Sequence, residues 1–459
     1  MSIAAKIHPR AFAIEFKDLA TWSVAAQFVA EWNWPQEVIK PLGRILKRRS
    51  EAALETLSPE TMVTLLTIRF DGSIEPREQI QIKGIKGRLF RVYPGDVIFS
   101  KIDVRNGAIG LARDDIDCMC VTSEFPVYSV NIDKVLPEYV KLLFRTTIFK
   151  KLLNSMISGA SGRKRIQPSH LERVIVPIPP LRVQQKIVAY WSDAQSLISA
   201  IKRSIETIQN DSEKGLLKRI GLQIPPIIPR KGCFTINLSQ NERWDTFFFR
   251  KDFISLDDQI RSANYTTLGD SLNFISRAWK PSDFPKGSFE YIEISSVTKN
   301  DGITHTRSVS VQEAPSRATT LVKAGDLIIA TTRPYLGSFT IVGKKHDGFV
   351  CSSGFSLAES LKTEALDKEF ILFFLKSEAG LRQLERRMSG GLYPAIVQSE
   401  LEKILIPTPP LKVQKEVVAA YNNGLAEIQR LRIESKKISE EAGQQIEEMI
   451  LGVSSVEDI

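Results

Sequence analysis

Two short loops in this chain carry side chains suited to reading a nucleic acid, and they stand in matching stretches 230 residues apart. The first holds Lys101, Arg105 and Asn106; the second holds Thr332, Arg333 and Tyr335. A later pair also matches, with Arg163-Lys164-Arg165 opposite Tyr393-Pro394-Ala395. Arg and Asn can hydrogen-bond base edges in the major groove, while Lys and hydroxyl side chains anchor phosphates. Taken singly, each residue is explained about as well by solvated loop charge. Two equivalent loops with different donor sets look like two readers of different sequences.

Catalytic and metal chemistry find little footing. The chain has no G-x-x-x-x-G-K-[ST] phosphate loop and no G-x-G-x-x-G after a strand. Four histidines, His8, His170, His305 and His346, are scattered without metal-ligand spacing and read as exposed polar residues, so no metal site is expected. No acidic–basic cluster recurs with nuclease-like spacing. Recurring halves without recurring chemistry predict a binding protein.

The elements that position the loops repeat as well. Val174-Ile175-Val176-Pro177-Ile178-Pro179-Pro180-Leu181-Arg182-Val183-Gln184 returns as Ile404-Leu405-Ile406-Pro407-Thr408-Pro409-Pro410-Leu411-Lys412-Val413-Gln414. In each copy a β-branched run meets a proline-stiffened turn, then a long helical pattern, and proline is tolerated in the first helical turn. Upstream, Asp71-Gly72 matches Asp301-Gly302, Gly95-Asp96 matches Gly325-Asp326, and Gly107 matches Gly337. The constant offset predicts no gap between residues 71 and 184; Leu42-Gly43 aligns only loosely with Leu268-Gly269.

Within each half, short strands precede a change of period. Met62–Arg69, Val97–Ser100 and Ala108–Ala112 read as strands, and Val121–Val130 as one or two more. Leu136–Met156 and Phe370–Leu384 read as single helices. Mixed strands with a late helix predict an α+β domain, made twice. After each proline turn comes an a/d stripe: Ile187, Trp191, Ile198, Ile201, Ile205 and Ile208, then Val417, Tyr421, Ile428, Leu431 and Ile438. Helices of about 40 residues, or ~60 Å, exceed what a domain this size can bury, so the two stripes are expected to pair antiparallel as a coiled coil. Gly215 should weaken the first helix and Pro225-Pro226 should end it. The expected plan is a lead-in at 1–20, a domain at 21–178, a helix at 179–222, a linker at 223–240, a domain at 241–408, a helix at 409–452 and a tail at 453–459.

Composition agrees. The 459 residues are 43% hydrophobic and 25% charged, as in globular proteins, and a net charge of +9 favours a polyanionic partner. No apolar run reaches membrane-span length and no signal-peptide pattern opens the chain, so no membrane partner is expected. Cys118, Cys120, Cys233 and Cys351 read as core thiols of a protein in the reducing cytoplasm.

These residues carry a resemblance. The chain resembles the specificity subunits of type I restriction–modification systems over nearly its whole length. The marks are Ile157-Ser158-Gly159 through Arg165-Ile166, Leu171, the Pro177–Leu181 junction and Gln184, then Ser389-Gly390-Gly391, Leu401, the Pro407–Leu411 junction and Gln414. Where that family places an acidic residue before the glutamine, this chain has Arg182-Val183 and Lys412-Val413. The resemblance implies two target-recognition domains, held apart by a helix pair, that read a split asymmetric site in double-stranded DNA. It further implies two modification subunits that methylate adenine and two motor-nuclease restriction subunits. Those partners would bind S-adenosylmethionine, ATP and Mg, leaving this chain non-catalytic and without a cofactor. An active DNA enzyme is disfavoured by the missing motifs. A coiled-coil scaffold that binds only protein predicts no salt-dependent DNA binding. A specificity subunit of a type II-like or other methylation-based defence system would share these features.

Overall fold

The computed structural model describes residues 32–155, 165–227, 242–283 and 287–454. The chain divides into two compact units, Met1–Ala200 with Glu434–Ile459, and Ile201–Ile433.

In the first unit, alternation along each strand sorts side chains between two cores. Leu46–Arg49, Val127–Val130, Val97–Phe99 and Ile109–Leu111 form an antiparallel sheet in that order. Val97 and Phe99 pack with Tyr128, Leu143 and Phe144, while Ile98 faces Leu66 and Val121. The strand is therefore covered on both sides, and its continuous apolar run is the consequence. A second sheet has the order Ile74–Gln81, Met62–Ile68, Met119–Thr122, Leu89–Arg91, with its middle pair parallel. Ile39–Pro41 pairs with Ile175–Pro177 at the proline junction.

The second unit repeats this plan. Leu272–Ile275, Phe355–Leu361, Leu327–Ala330 and Phe339–Ile341 form one sheet; Arg307–Ser310, Ser288–Ile292, Val350–Ser352 and Ala318–Leu321 form the other, again with a parallel middle pair. Tyr265–Thr267 pairs with Leu405–Pro407. The loosely aligned dipeptides are equivalent after all: Leu42 N donates to Val174 O and Leu268 N to Ile404 O, each at 2.8 Å.

The offset between the halves is not constant, contrary to the ungapped expectation. A bulge at Thr319 lets Ala318 pair with Ser352 where Leu89 pairs with Thr122, which puts the offset at 229 just before it. A second bulge at Glu359 raises it to 231, so helix Pro137–Arg145 corresponds to Lys368–Lys376. Each bulge adds one residue on one strand without breaking the sheet.

The late helices also differ from expectation: each is two helices. Pro137–Arg145 is followed by Thr147–Ser155, and Lys368–Lys376 by Glu378–Arg387. The intervening Thr146 and Ser377 are extended, with ψ of 146° and 161°. Each hydroxyl donates to a carbonyl of the helix it ends, Thr146 to Leu143 and Ser377 to Phe374, and accepts from an amide of the helix it begins.

The first long helix, Leu181–Arg219, runs through Gly215 and stops before the prolines. Gly221, at φ +82°, closes it: its N–H bonds Lys218 O and the Leu222 N–H bonds Leu217 O, while the Leu217 and Leu222 side chains are buried. This is a Schellman end, in which glycine takes the left-handed position. The second long helix is Leu411–Leu451. Of the a/d residues, Ile187, Ile198, Ile201, Val417 and Ile428 are buried and Trp191, Ile205, Ile208, Tyr421, Leu431 and Ile438 half-buried. In the first unit Ile187 shares a core with Ile446, Met449 and Ile450; in the second, Gly424 lies against Ile208 and Ser212. Rising numbers on one helix meet falling numbers on the other, so the pair is an antiparallel coiled coil. No helix among the described residues is long and apolar enough to cross a membrane.

Two side chains depart from the sequence reading. Cys118 is exposed, because its backbone turns through φ +46° just before a strand, while Cys120 and Cys351 are buried as core thiols. His346 is buried, edge-on to Phe349, and burial lowers its pKa. Cys233 and His8 lie outside the described residues.

One position, half-buried in the first unit and buried in the second, differs chemically between them. Arg145 donates to the carbonyls of Phe70, Gly107 and Ile109. Its counterpart is Lys376, whose burial, with Lys299 nearby, pushes its ammonium down to about 8. Below about pH 8 both folded and unfolded states carry the proton and the cost of burial is complete. From there to the unfolded value near ~10.4 the unfolded state holds the extra proton, so stability rises with pH. Lys376→Met is expected to flatten that rise, as measured by urea denaturation at pH 7.5, 9 and 10 against the parent.

Candidate nucleic-acid interface

The first-half loop leaves the buried strand Val97–Phe99 and turns through a single helical turn, Val104–Asn106, into Gly107 at φ +103°. A Cβ at Gly107 would stand 2.0 Å from Phe70 O, so only glycine lets the loop close there. Lys101 N bonds Glu124 O, the Lys101 ammonium donates to Ser123 O at 2.6 Å, and Ile166 N bonds Lys101 O. Three segments distant in sequence therefore meet: the loop, the Ser123-Glu124 turn and the Arg165-Ile166 segment that leads into the short helix Pro168–Glu172. Asn106 is exposed and Lys101 half-buried. Arg165 pairs with Glu124 at 3.4 Å, both side chains well exposed, and such a pair holds weakly. Arg163 and Lys164 lie outside the described residues, and Arg105 is described only in its backbone.

The second half builds the same junction with other side chains. Thr331 N bonds Gly354 O and Ile396 N bonds Thr331 O, matching the first half bond for bond. Arg333 N bonds Pro394 O at 2.7 Å, and Thr332 bridges Ala395. The loops at 331–337 and 389–395 are thereby fused into one surface. Arg333 sits at φ +48° with its guanidinium 4.8 Å from the Tyr393 ring centroid, a cation–π pair. Around it Tyr335, Leu336, Leu392 and Tyr393 are exposed, Leu392 by 81% and Tyr393 by 66%. The apolar members, Leu336 and Leu392, were not singled out in the sequence, where a leucine in a loop carries no signal.

The two surfaces thus share a frame and differ in chemistry. The first is charged and polar, with Lys101, Asn106 and Arg165. The second is aromatic and apolar around one arginine. The frame is held by buried acids on the repeated Gly-Asp turns: Asp96 pairs with Arg49 at 2.9 Å and Asp326 with Arg277 at 2.5 Å. Each also accepts a backbone N–H, from Tyr93 and Lys323. Arg382, Arg386 and Arg387 form a dense basic run but are not part of either surface. They are buried against Asp252, Asp257 and Glu400, with Arg386 over the Phe248 ring at 4.1 Å.

The family described as the type I restriction modification DNA specificity domain matches residues 82–210 and 265–435, one copy in each half. A Methanocaldococcus jannaschii protein bearing the name type I restriction enzyme MjaX specificity subunit is 22% identical over 79% of this chain and 79% of its own length. The type I restriction enzyme MjaVIII specificity subunit of the same organism is 24% identical over 68% of each chain. A solved chain from work on complex assembly and conformational transition of the type I system superposes with a TM-score of 0.58. It covers 91% of this chain and 98% of that one at 16% identity, a likeness of fold.

Proposed function

This chain belongs to the family of the type I restriction–modification DNA specificity domain, which it carries twice, and from that membership we propose a division of labour. The chain is the DNA-recognition subunit of a type I system, and each half reads one part of a bipartite, asymmetric site in double-stranded DNA. The single observation behind the two-part reading is the shared hydrogen-bonded junction presenting different side chains, Lys101, Asn106 and Arg165 in one half and Thr332, Arg333, Tyr335 and Tyr393 in the other. The chain works without catalysis of its own, in the cytoplasm, with modification and restriction subunits, two of each. Those partners supply methylation and cleavage and hold S-adenosylmethionine, ATP and Mg.

Arg163→Ala, Lys164→Ala and Arg165→Ala together test the basic loop. In the complex with the modification subunit, the variant is expected to bind DNA more weakly, with the salt slope smaller by about 0.9 for each phosphate that the loop no longer neutralises. Unchanged slope and affinity would return the loop to solvated charge. A parent complex that binds no DNA at any salt would sink the DNA-reading proposal and favour a protein scaffold.

A further inference from the structure

Arg88 and Arg317 occupy one structural position in the two halves, hidden in the sequence by the 229-residue spacing between them. The strand register fixes the equivalence. Leu89 pairs with Thr122 and Ala318 with Ser352, so each arginine stands just before its strand, opposite Ser123 or Ser353. Ser353 N bonds Arg317 O at 2.7 Å. That serine adjoins the residue whose carbonyl receives the reading loop, Glu124 for Lys101 N and Gly354 for Thr331 N. Each arginine therefore flanks a reading loop at a distance of two strands.

Both side chains are exposed, and neither makes an ion pair or side-chain hydrogen bond among the described residues. Exposed cations without partners hold no fold together. The glycines and aspartates of the frame recur because turns and buried pairs require them. The reading loops differ because what they read differs. A cation that recurs beside loops that do not recur fits a target common to both half-sites, and the DNA backbone is that target. The planar guanidinium suits it, since it can bond two phosphate oxygens at once.

The second half adds a receiving site. Arg317 lines a shallow hollow of about 390 Å³ with Arg307, Ser295, Ser316 and Ser352. Glu293 also lines it, but its carboxylate is engaged by Arg307 at 3.3 Å and by the Ser295 hydroxyl at 3.2 Å.

We propose that Arg88 and Arg317 anchor DNA phosphates in the same way in both halves, fixing the register of the duplex while the neighbouring loops read bases. The inference rests on the DNA-reading proposal above. The test uses the complex of the full chain with its modification subunit, titrated with a duplex containing the methylated motif and with an unrelated duplex across a salt series. Arg88→Ala and Arg317→Ala should each reduce the salt slope by about 0.9 and weaken both duplexes by the same factor. The methylated motif should stay as in the parent, and Arg317→Lys should keep the slope. Since both side chains are exposed, thermal melting of the variants should match the parent. A parent that binds in a salt-dependent way with variants of identical slope would overturn the anchor assignment alone. A variant that shifts the motif would overturn it too, making the arginine a base reader. A parent that binds neither duplex would remove the DNA-reading proposal together with it.

Discussion

Replacing residues 241–405 with the second domain of another family member is expected to change one part of the methylated site and leave the other intact. Each loop surface is assembled within one unit, from hydrogen bonds made inside that unit. The exchange must respect what the second domain touches inside its own unit. Glu213 of the first long helix accepts the Glu378 N–H at the start of a short helix and pairs with Lys299 at 3.5 Å. Arg432 of the second long helix pairs with Asp301 at 3.3 Å. An incoming domain with neither an open helix N-terminus at position 378 nor a cation at position 299 would leave Glu213 unpaired at a half-buried site, costing roughly 1–3 kcal/mol. That loss lowers stability without altering which bases are read. Methylation-motif mapping of the exchanged protein beside the parent decides the matter. A change in both parts of the site would mean that the halves do not read independently.

The frame was legible in sequence because its residues are stereochemically forced. Gly107 and the Asp of each Gly-Asp turn have few substitutes, so they persist where other side chains drift. The long helices were legible because burial in a coiled-coil seam needs an apolar residue every three or four positions. Helix ends were less so. Gly221 ends the first helix, yet Pro225-Pro226 is the more conspicuous signal, and a single Thr146 or Ser377 inside an apolar period does not announce an extended residue. The bulges at Thr319 and Glu359 are invisible at constant offset, since an extra residue in one strand moves its neighbours out of register. This is why Arg88 and Arg317 were not matched. The meeting of Arg333 with Pro394 and Tyr393 joins segments that lie far apart in the chain. The sequence marked both loops as candidates but carried nothing that joins them. Arg386 and Arg387 show the converse: their charge is conspicuous, but buried acids and Phe248 absorb it.

Gln184→Leu and Gln414→Leu should each destabilise one unit by roughly 3 kcal/mol or more, among the larger effects open to a single surface-neutral substitution. Both glutamines are fully buried at the first turn of a long helix. Gln184 Nε2 donates to Pro179 O at 2.7 Å and Lys134 O at 3.0 Å, and its Oε1 accepts from Leu136 N at 2.8 Å. Gln414 makes the same three bonds, to Pro409 O at 2.7 Å, Ala365 O at 2.8 Å and from Asp367 N at 2.9 Å. One side chain thus satisfies the end of the proline turn and the loop before the domain's late helix. Leucine fills a similar volume but leaves two carbonyls and an amide without partners, at about 1–3 kcal/mol for each group that water cannot reach. Glutamate would restore the acceptor and lose both donations, so it should be no milder. Because each glutamine serves one unit, hydrogen exchange should report a local loss: faster exchange at Pro137–Arg145 helix amides for Gln184→Leu, and at Lys368–Lys376 amides for Gln414→Leu. Protection unchanged in both helices, with both variants folded, would mean that the proline turn and the late-helix loop hold together without the glutamine.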